Sequence, residues 1–437
     1  MSFFFTPYFA MQLDRTLAPP FRVINRIHLP QAESITLDNG LPLHVINIGE
    51  QPVVRLECIF DAGTWYETTP GTSLFTIKML SEGTSQRASA DISEAFDRIG
   101  AFTDMSHSFD HLGIVIYCLS RHLPTVLPLV QELIAEATFP DKEWEDLRNI
   151  TLQNHRVNWE KTAYRATMHF REQLFGDQHP YGRSRSEASI ASLPKAAALQ
   201  HYKSHIQQAK FRIILSGKVG TDEIKAVNEY LGQKQSLQSN GLTTGVFTTP
   251  DVTETTSLIE RPDSLQSSIR LGKLLFTRTH PDYFKMLVTN EILGGYFGSR
   301  LMKNIREEKG LTYGISSNMP SLRHEGYFLI GTDVKKEFTQ QTLDEIRKEI
   351  GILQTTPIDA TELQNVKNFM AGEFAGSLNT AFDIADRQKI LIMEGLPADF
   401  FDRYIDQIHA ATADDIMEMA QTHLALDTMT EVVVGGK

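Results

Sequence analysis

The stretch IASLPKAAALQHYKSHIQQAKFRIILSG, residues 190–217, predicts a helix with apolar residues at helical spacing, followed by a short β-branched strand that ends in glycine. The stretch IHAATADDIMEMAQTHLALDTMTEVVVG, residues 408–435, predicts the same two elements in the same order. Both ends of the two stretches are separated by an offset of 218 residues, about half of the 437-residue chain. An offset of this size favours an internal duplication.

Other segments of the two halves correspond more loosely. VRLECIF, residues 54–60, matches IRLGKLLF, residues 269–276, and each predicts a strand. Predicted helices lead into Gly100 and Gly310, and a predicted strand follows each glycine. In both halves strands cluster and helices follow. The pattern predicts an α+β fold with two duplicated domains of like topology, each a mostly antiparallel sheet with helices packed on one face.

The length of the chain exceeds that of an ordinary single core and predicts more than one domain. Between the two halves, QKQSLQSNGLTTGVFTTPDV is rich in Ser, Thr, Gly and Gln, a composition typical of linkers. We therefore predict an N-terminal domain over residues 1–232, a linker over residues 233–252 and a C-terminal domain over residues 253–437.

A long helix is predicted from Asp141 to about Leu174. Asp141 follows Pro140 and is predicted to cap the N-terminus of this helix, and Gly176 lies just beyond its end.

The composition is that of a soluble globular protein, with 41% hydrophobic and 22% charged residues. A formal charge of −12 argues against nucleic acid as a partner and is compatible with a cationic peptide. Cys58 and Cys118 lie in apolar runs and are predicted to be buried structural thiols, which favours a reducing compartment. No run approaches 18 uninterrupted apolar residues, so no membrane span is predicted.

The N-terminal sequence MSFFFTPYFAMQLDR has no basic region before its short apolar run, and Pro7 interrupts that run. We expect this aromatic start to pack on the body of the protein or on a partner. The protein is therefore predicted to be cytoplasmic.

Several strings, in order and at matching spacing, resemble one family. In the first half they are FDAGTWYE (residues 60–67), SEGT (81–84) and HPYGR (179–183), and in the second half LQSSIRLG (265–272), PDY (281–283) and ILGGYFGSRLMKNIREEKGLTYGISS (292–317). The chain is similar to the M16 metallopeptidases of the pitrilysin, insulinase and processing-peptidase type, and its length to their M16B branch. The resemblance implies two α+β domains that face each other, and active forms that pair two such chains or halves around a peptide chamber.

Active members of this family carry His-x-x-Glu-His on the helix before the Gly-Thr landmark. Histidines at i and i+4 share one helical face and bind zinc, while the glutamate activates the metal-bound water. The corresponding positions of this chain hold Leu74, Phe75, Thr76, Ile77 and Lys78. A more distant glutamate ligand, 76 positions after Lys78, falls on Asn154.

None of these replacements supplies a zinc ligand. Leu74 and Ile77 cannot bind a metal or move a proton, and an ammonium at Lys78 would repel zinc. The resemblance therefore implies a chain that binds no catalytic zinc.

Three other sets of histidines are candidate substitutes for the missing zinc ligands. His201 and His205 are spaced i, i+4 on a predicted helix without a general base between them, and we interpret them as surface or capping histidines. His107 and His111 fall in a predicted strand, where they would lie about 13 Å apart and could share a metal only if the strand bends. His155 has no evident partner.

By resemblance, the half or subunit opposite the zinc supplies an arginine and a tyrosine seven positions apart, which contact substrate and stabilise the tetrahedral intermediate. They correspond to Arg306 and Tyr313, donors suited to a carbonyl oxygen that gains negative charge. The alternative is that Arg306 pairs with Glu307 or Glu308 and that Tyr313 packs in the core.

Two further features belong to the same resemblance. The predicted edge strand AFTDMSHSFD, residues 101–110, either pairs with the backbone of an extended peptide or serves only as a structural edge. Gly294, Gly295 and Gly298 mark a hinge or a tight turn. Their segment is shorter than the glycine-rich loop of the non-catalytic processing-peptidase subunit, so no presequence specificity is implied.

The leading hypothesis is a non-catalytic, substrate-binding subunit of a heteromeric M16-type zinc peptidase. The partner would carry His-x-x-Glu-His and the zinc, and this chain would supply Arg306 and Tyr313 for peptide hydrolysis. The alternative is a catalytically silent structural or peptide-binding homologue, since the family includes silent subunits of a respiratory complex. A third hypothesis is an independent peptidase with a non-standard metal site. Whether the chain also forms homodimers is left open.

Overall fold

The computed structural model describes Thr16, residues 23–233, Phe247, Thr249 and residues 256–436. The N-terminal segment MSFFFTPYFAMQLDR therefore lies outside the described residues, as does the predicted linker apart from Gln233, Phe247 and Thr249. The predicted domain boundaries stay predictions. Within the described ranges, no helix combines the length and the hydropathy that crossing a membrane requires.

Eleven strands form two sheets within the described residues. The strands are β1 (Glu33–Thr36), β2 (Pro42–Asn47), β3 (Val53–Phe60), β4 (Phe102–His107), β5 (Leu112–Leu119), β6 (Arg212–Gly217), β7 (Thr256–Glu260), β8 (Gln266–Leu275), β9 (Thr312–Asn318), β10 (Gly326–Lys335) and β11 (Thr430–Gly435). The first sheet has the order β1-β2-β6-β3-β5-β4, and the second has the order β7-β11-β8-β10-β9.

The described α-helices are α1 (Thr72–Met79), α2 (Ser89–Asp97), α3 (Leu123–Glu136), α4 (Asp141–Trp159), α5 (Thr162–Phe175), α6 (Glu187–Ala191), α7 (Lys195–Tyr202), α8 (Thr221–Leu231), α9 (Tyr283–Asn290), α10 (Thr339–Thr355), α11 (Ala360–Gly376), α12 (Ala381–Glu394), α13 (Tyr404–Ala410) and α14 (Ala413–His423). Short π-helical turns cover Lys203–Gln207, Glu291–Gly295 and Met302–Glu308. Single 3₁₀ turns cover Thr64–Tyr66, Ser120–His122, Lys336–Phe338 and Leu426–Thr428.

The two sheets share one topology, as the duplication predicts. Five strands correspond in order, each sheet contains one parallel pair (β2 with β6, β7 with β11), and the other pairs are antiparallel. Strands β6 and β11 are 218 residues apart, and so are the first residues of α7 and α14. The predicted α+β fold with two sheets of like topology is confirmed.

Glycines recur at equivalent points of the two halves because the backbone requires them. Gly100 and Gly310 have φ values of 63° and 62° and lead into β4 and β9. Gly217 and Gly435 end β6 and β11 with φ values of 112° and 143°. A Cβ at Gly217 would lie 2.2 Å from the Val53 carbonyl oxygen, so only glycine fits this close strand contact.

The first core lies between the first sheet and the helices of the first half. Val54, Leu56, Cys58 and Phe60 point from β3 into this core. Both cysteines are buried and free, as predicted, with Cys118 in β5. Burial raises the pKa of the Cys118 thiol to about 11, so the thiol stays protonated and unreactive at neutral pH.

The second face of each sheet is covered by a helix from the other half of the chain. Helix α12 packs across β2 and β6 of the first sheet, and α5 packs across β8 and β11 of the second. Because α12 covers the second face of the first sheet, the side chains of β3 are buried on both faces. This burial explains why the sequence of β3 is a continuous apolar run apart from its charged residues.

Equivalent arginines on the two central strands hold the exchanged helices. Arg55 of β3 pairs with Asp386 of α12 at 2.7 Å. Arg270 of β8 donates from Nε to the Thr167 hydroxyl of α5 at 3.1 Å and from Nη2 to the Ala163 carbonyl at 3.3 Å. Both arginines occupy the second position of the matching VRL and IRL strings.

The long helix predicted from Asp141 to about Leu174 is wrong, since two helices occupy this stretch. Helix α4 ends at Trp159, and Lys161 takes an extended conformation before α5 begins. The break lets α4 stay with the first half while α5 crosses to the second sheet. Asp141 is the first helical residue and does not cap the helix, a position that Pro140 takes.

Candidate functional site

The five positions that correspond to the zinc motif lie on α1. Phe75, Thr76 and Ile77 are fully buried, whereas Leu74 and Lys78 are partly exposed. Asn154 is exposed on α4. The buried part of the motif therefore belongs to the hydrophobic core, with Phe75 packed against Trp144 at a ring distance of 5.0 Å.

Lys78 connects α1 to the edge of the first sheet. Its ammonium donates a hydrogen bond of 2.9 Å to the carbonyl oxygen of Met105 in β4. A donor bound to a backbone acceptor cannot also present a lone pair to a metal, and the neighbouring Leu74 and Ile77 offer only carbon. These residues do not fit a zinc ion.

Replacing Lys78 by methionine is expected to loosen β4 without unfolding the chain. The variant keeps a long apolar stem but leaves the Met105 carbonyl without its charged donor, a loss of about 1–3 kcal/mol. Hydrogen exchange of the β4 amides should accelerate, while the β8 amides serve as an internal control. Equal protection of β4 in both proteins would contradict a holding role for Lys78.

The N-terminus of α1 is held by a buried carboxylate. Glu67 accepts hydrogen bonds from the backbone N–H groups of Gly71 and Ser73 at 3.0 and 2.8 Å and from the Ser73 hydroxyl. It also pairs with Arg183 at 3.2 Å. The family motifs FDAGTWYE and HPYGR thus contact each other through their last residues, Glu67 and Arg183. A carboxylate at a helix N-terminus is further stabilised by the helix dipole.

The two histidines near β4 do not converge. His107, at the end of β4, lies 2.8 Å from the Ser73 hydroxyl, while His111 follows the turn and lies 3.3 Å from the Asp61 carboxylate. Burial, together with the charges of Arg185 and Lys78, lowers the pKa of His107 to about 4. Within the described ranges, no group of three or more His, Cys, Asp and Glu side chains could hold a metal ion.

His201 and His205 are buried, so their interpretation as surface or capping histidines is wrong. Their rings stack with centroids 4.3 Å apart, and His201 lies 2.8 Å from the carbonyl oxygen of Ala62. The helix changes from α to π between them, which turns both rings inward beneath the 3₁₀ turn Thr64–Tyr66, where Tyr66 packs on His205. Burial lowers the pKa of His201 to about 3.

The buried His201 makes stability depend on pH. The unfolded imidazole takes up a proton below its ordinary pKa of 6.5, whereas the folded one stays neutral until about 3, so stability is lost as the pH falls through this window. At pH 5 the loss should be about 2 kcal/mol from this group. His201→Gln should show a smaller difference between urea unfolding at pH 7 and at pH 5 than the parent protein. His28→Gln, at an exposed ring, is the matched control, and an unchanged difference in His201→Gln would contradict the assignment.

Tyr313 faces outward in the second half, and Arg306 is partly exposed. Tyr313 lies on β9 with 95% of its surface exposed. Arg306 belongs to the π-helical turn Met302–Glu308, and its guanidinium lies over the exposed Phe297 ring at 4.5 Å. Among the described residues Arg306 makes no ion pair with Glu307 or Glu308. The alternative in which Tyr313 packs in the core is wrong.

The glycines before Arg306 form a tight turn against β9. Gly294 and Gly295 end the π-helical turn Glu291–Gly295. A Cβ at Gly294 would lie 2.7 Å from the Ser317 backbone nitrogen of β9, and one at Gly295 would lie 2.4 Å from the Glu291 carboxylate. Their lack of side chains brings the turn against the strand that carries Tyr313.

Within the described residues each sheet has two edge strands, β1 and β4 in the first and β7 and β9 in the second. The predicted edge position of residues 101–110 is confirmed, and Phe102 on this edge is 64% exposed. A free strand edge can accept an extended peptide.

Comparison with family models identifies the family of this chain. Residues 45–186 match the family model described as insulinase (peptidase family M16), and residues 192–370 match the one described as peptidase M16 inactive domain. Together the two models cover most of the chain. The chain belongs to peptidase family M16.

The M16 chain is similar to several bacterial relatives. It is 25% identical to the "uncharacterized zinc protease YmxG" of Bacillus subtilis over 355 residues, which cover 79% of this chain and 84% of that protein. It is 21% identical to the "non-peptidase homolog YmxG" of Helicobacter pylori over 380 residues, which cover 84% and 85%. Its zinc-motif positions mark it as an M16 homologue without the catalytic constellation.

Solved structures show the M16 fold of the chain. A peptidase M16 inactive domain from Pseudomonas fluorescens aligns with a TM-score of 0.84 at 24% identity, covering 93% of this chain and 98% of that one. The periplasmic protease PqqL of Escherichia coli aligns with a TM-score of 0.76 at 16% identity, covering all of this chain and 49% of that one. The fold of the M16 chain thus recurs within a protein about twice its length.

Sequence reasoning missed the cluster of arginines near α1 of this M16 chain. Arg171, Arg183 and Arg185 line one cavity beside His107. The only available signal was HPYGRSR, which places two arginines two positions apart after a family landmark. Arg171 lies on α5 and gives no such signal.

Proposed function

We propose that this chain is the non-catalytic, substrate-binding subunit of a heteromeric M16-type zinc peptidase. A separate chain of the same family, with His-x-x-Glu-His, would bind the zinc. This chain would present Arg306 and Tyr313 to that active site for the hydrolysis of peptides that enter the shared chamber.

The exposure of Tyr313 carries the proposal. A tyrosine that is 95% exposed contributes little to the stability of its own chain, yet it stands on a free strand edge beside a turn shaped by glycines. The stacking of Arg306 on Phe297 holds a guanidinium at the surface without a carboxylate partner among the described residues. Both side chains are therefore available to another molecule.

The chemistry of these two groups suits peptide hydrolysis. A zinc ion in the partner would supply an activated water, and the N–H and O–H donors of Arg306 and Tyr313 would stabilise the negative charge that develops on the peptide carbonyl oxygen. Neither group needs to exchange a proton in this role.

The surroundings of Tyr313 offer space for an extended substrate. A groove of about 500 Å³ opens beside β9 and is lined by Tyr313, Thr332 and Asp333 among others. A peptide that adds to the β9 edge would gain main-chain hydrogen bonds and pass this groove.

The compartment belongs to the same proposal. Cys58 and Cys118 are buried and free in neighbouring strands, which fits a reducing environment. We place the assembly in the cytoplasm.

The test is native co-purification at low salt, followed by peptidase assays of the separated and recombined chains. A stoichiometric partner of similar size with His-x-x-Glu-His, and activity only in the mixture, is the expected result. Chelation of zinc should abolish that activity and leave the pairing intact. Isolation of the chain alone, with no activity in any pairing, would favour the catalytically silent reading that the name of the Helicobacter pylori relative suggests.

A further inference from the structure

A cavity of about 420 Å³ lies beside the N-terminus of α1 and carries an excess of positive charge. Its walls come from the loop before α1, the end of β4, helix α5 and the loop after HPYG. Three arginines line it, Arg171, Arg183 and Arg185, and Glu67 is its single carboxylate. The chain as a whole has a formal charge of −12, so this cavity departs from the general charge of the protein.

Glu67 does not neutralise the cavity. Its side chain is only 2% exposed and already accepts hydrogen bonds from the first turn of α1 and from Arg183. Because Glu67 also caps α1, the N-terminus of this helix has its anion and does not account for the cavity. Among the described residues, the guanidinium groups of Arg171 and Arg185 remain without a carboxylate partner.

The contacts that hold Arg171 in place include no anion among the described residues. Its guanidinium lies over the Phe109 ring at 4.7 Å, and its closest polar contact is the Met168 sulfur at 3.8 Å. Its Nε is buried and has no hydrogen-bond partner in the part of the chain that the structure describes. Among the described residues no carboxylate lies within 4.0 Å of it. Burial and the nearby Arg185 lower the pKa of Arg171, as expected for a cation short of an anion.

Arg185 adds a second charge without a carboxylate. Its aliphatic stem packs beside Gly71, where a Cβ would lie 3.3 Å from its Cδ. The absence of a side chain at Gly71 lets the arginine lie over the start of α1. The structure gives Arg185 no ion pair among the described residues.

The wall nearest to solvent belongs to the free edge strand. His107, Ser108 and Phe109 continue from β4 and line the cavity. A peptide that extends along the β4 edge would therefore reach the arginines with a side chain or with its terminus. Planar guanidinium groups bind carboxylates through two parallel hydrogen bonds, which an ammonium cannot provide.

We propose that this cavity is a binding site for a peptide carboxylate, with Arg171 and Arg185 as its principal ligands. The carboxylate comes either from the C-terminus of the peptide or from an acidic side chain. The site acts in the isolated chain and needs no zinc-bearing partner, so its test is independent of peptide hydrolysis.

Binding of four fluorescent peptides to the full chain tests this site by anisotropy. The peptides share one sequence and combine a free or amidated C-terminus with an internal Glu or Gln. Removal of the recognised carboxylate should weaken binding about tenfold, the effect of losing a charge-assisted bidentate pair. Sensitivity to amidation identifies the C-terminus, and sensitivity to Glu→Gln in the peptide identifies a side chain.

The variants Arg171→Gln and Arg185→Gln should each weaken binding of the recognised peptide about tenfold. If Arg171→Gln folds poorly, Arg171→Lys replaces it in the test. Lysine keeps the positive charge but lacks the planar guanidinium, so Arg171→Lys should still weaken binding. Arg98→Gln, at an exposed arginine paired with Glu94, is the matched control and should bind like the parent. The proposal would be overturned if the peptides bind equally with and without carboxylates, or if none of them binds. It would also be overturned if Arg171→Lys and Arg185→Gln both bind the recognised peptide with unchanged affinity.

Discussion

Tyr313→Phe is expected to lower the turnover of the reconstituted heteromeric peptidase by about 10²-fold, and Arg306→Ala by about 10²–10³-fold. Each change removes one donor to the oxygen that becomes negative in the transition state. Since the phenol of Tyr313 is almost wholly exposed, its loss should not disturb the fold of the chain. Steady-state kinetics of the complex with a short fluorogenic peptide measure the effect.

The loss should appear in kcat more than in KM, because the donors act on charge that develops only in the transition state. Lys303→Ala, at an exposed position of the turn that carries Arg306, is the matched control and should retain turnover. Analytical gel filtration should show that all three variants still pair with the proposed zinc-bearing chain. Unchanged kinetics in both Tyr313→Phe and Arg306→Ala would count decisively against the proposed function.

Glu67→Ala is expected to lower the free energy of unfolding by about 3–5 kcal/mol. The change leaves Arg183, only 12% exposed, without its anion, and it removes the acceptor of two backbone N–H groups at the start of α1. Urea unfolding followed by circular dichroism measures the loss.

Glu94→Ala provides the control for Glu67, because Glu94 forms an exposed ion pair with Arg98 on α2. Exposed pairs of this kind contribute about 0–1 kcal/mol. A loss below about 1 kcal/mol in Glu67→Ala would mean that the buried pair is compensated by water and would remove its structural role.

The repeated pattern made the duplicated topology predictable. Gly217 and Gly435 end equivalent strands, and Gly100 and Gly310 precede equivalent edge strands, because both halves impose the same backbone geometry at these points. The exchange of α5 and α12 was not predictable in this way. Periodicity shows which face of a helix is apolar, but it does not show which sheet that face covers.

The candidate site was likewise predictable from the sequence only in part. The motif identified Leu74, Ile77 and Lys78 as residues unable to bind zinc, and their contacts explain what they do instead. The burial of His201 and His205 was missed because the π-helical turn that rotates them inward leaves no signal in their spacing. The cavity arginines were missed because the cavity forms only where α5, the loop after HPYG and the start of α1 meet in the fold.

The exchanged helices also govern how the chain can move. Each sheet needs a helix from the other half to complete its packing, and an ion pair between the buried Glu57 and the partly exposed Lys389 stabilises the contact. Separating the two halves would expose the packed faces of both α5 and α12 at once. The two halves should therefore unfold in one concerted transition. In the proposed heteromer, a gate that admits a peptide would then lie at the boundary with the second chain.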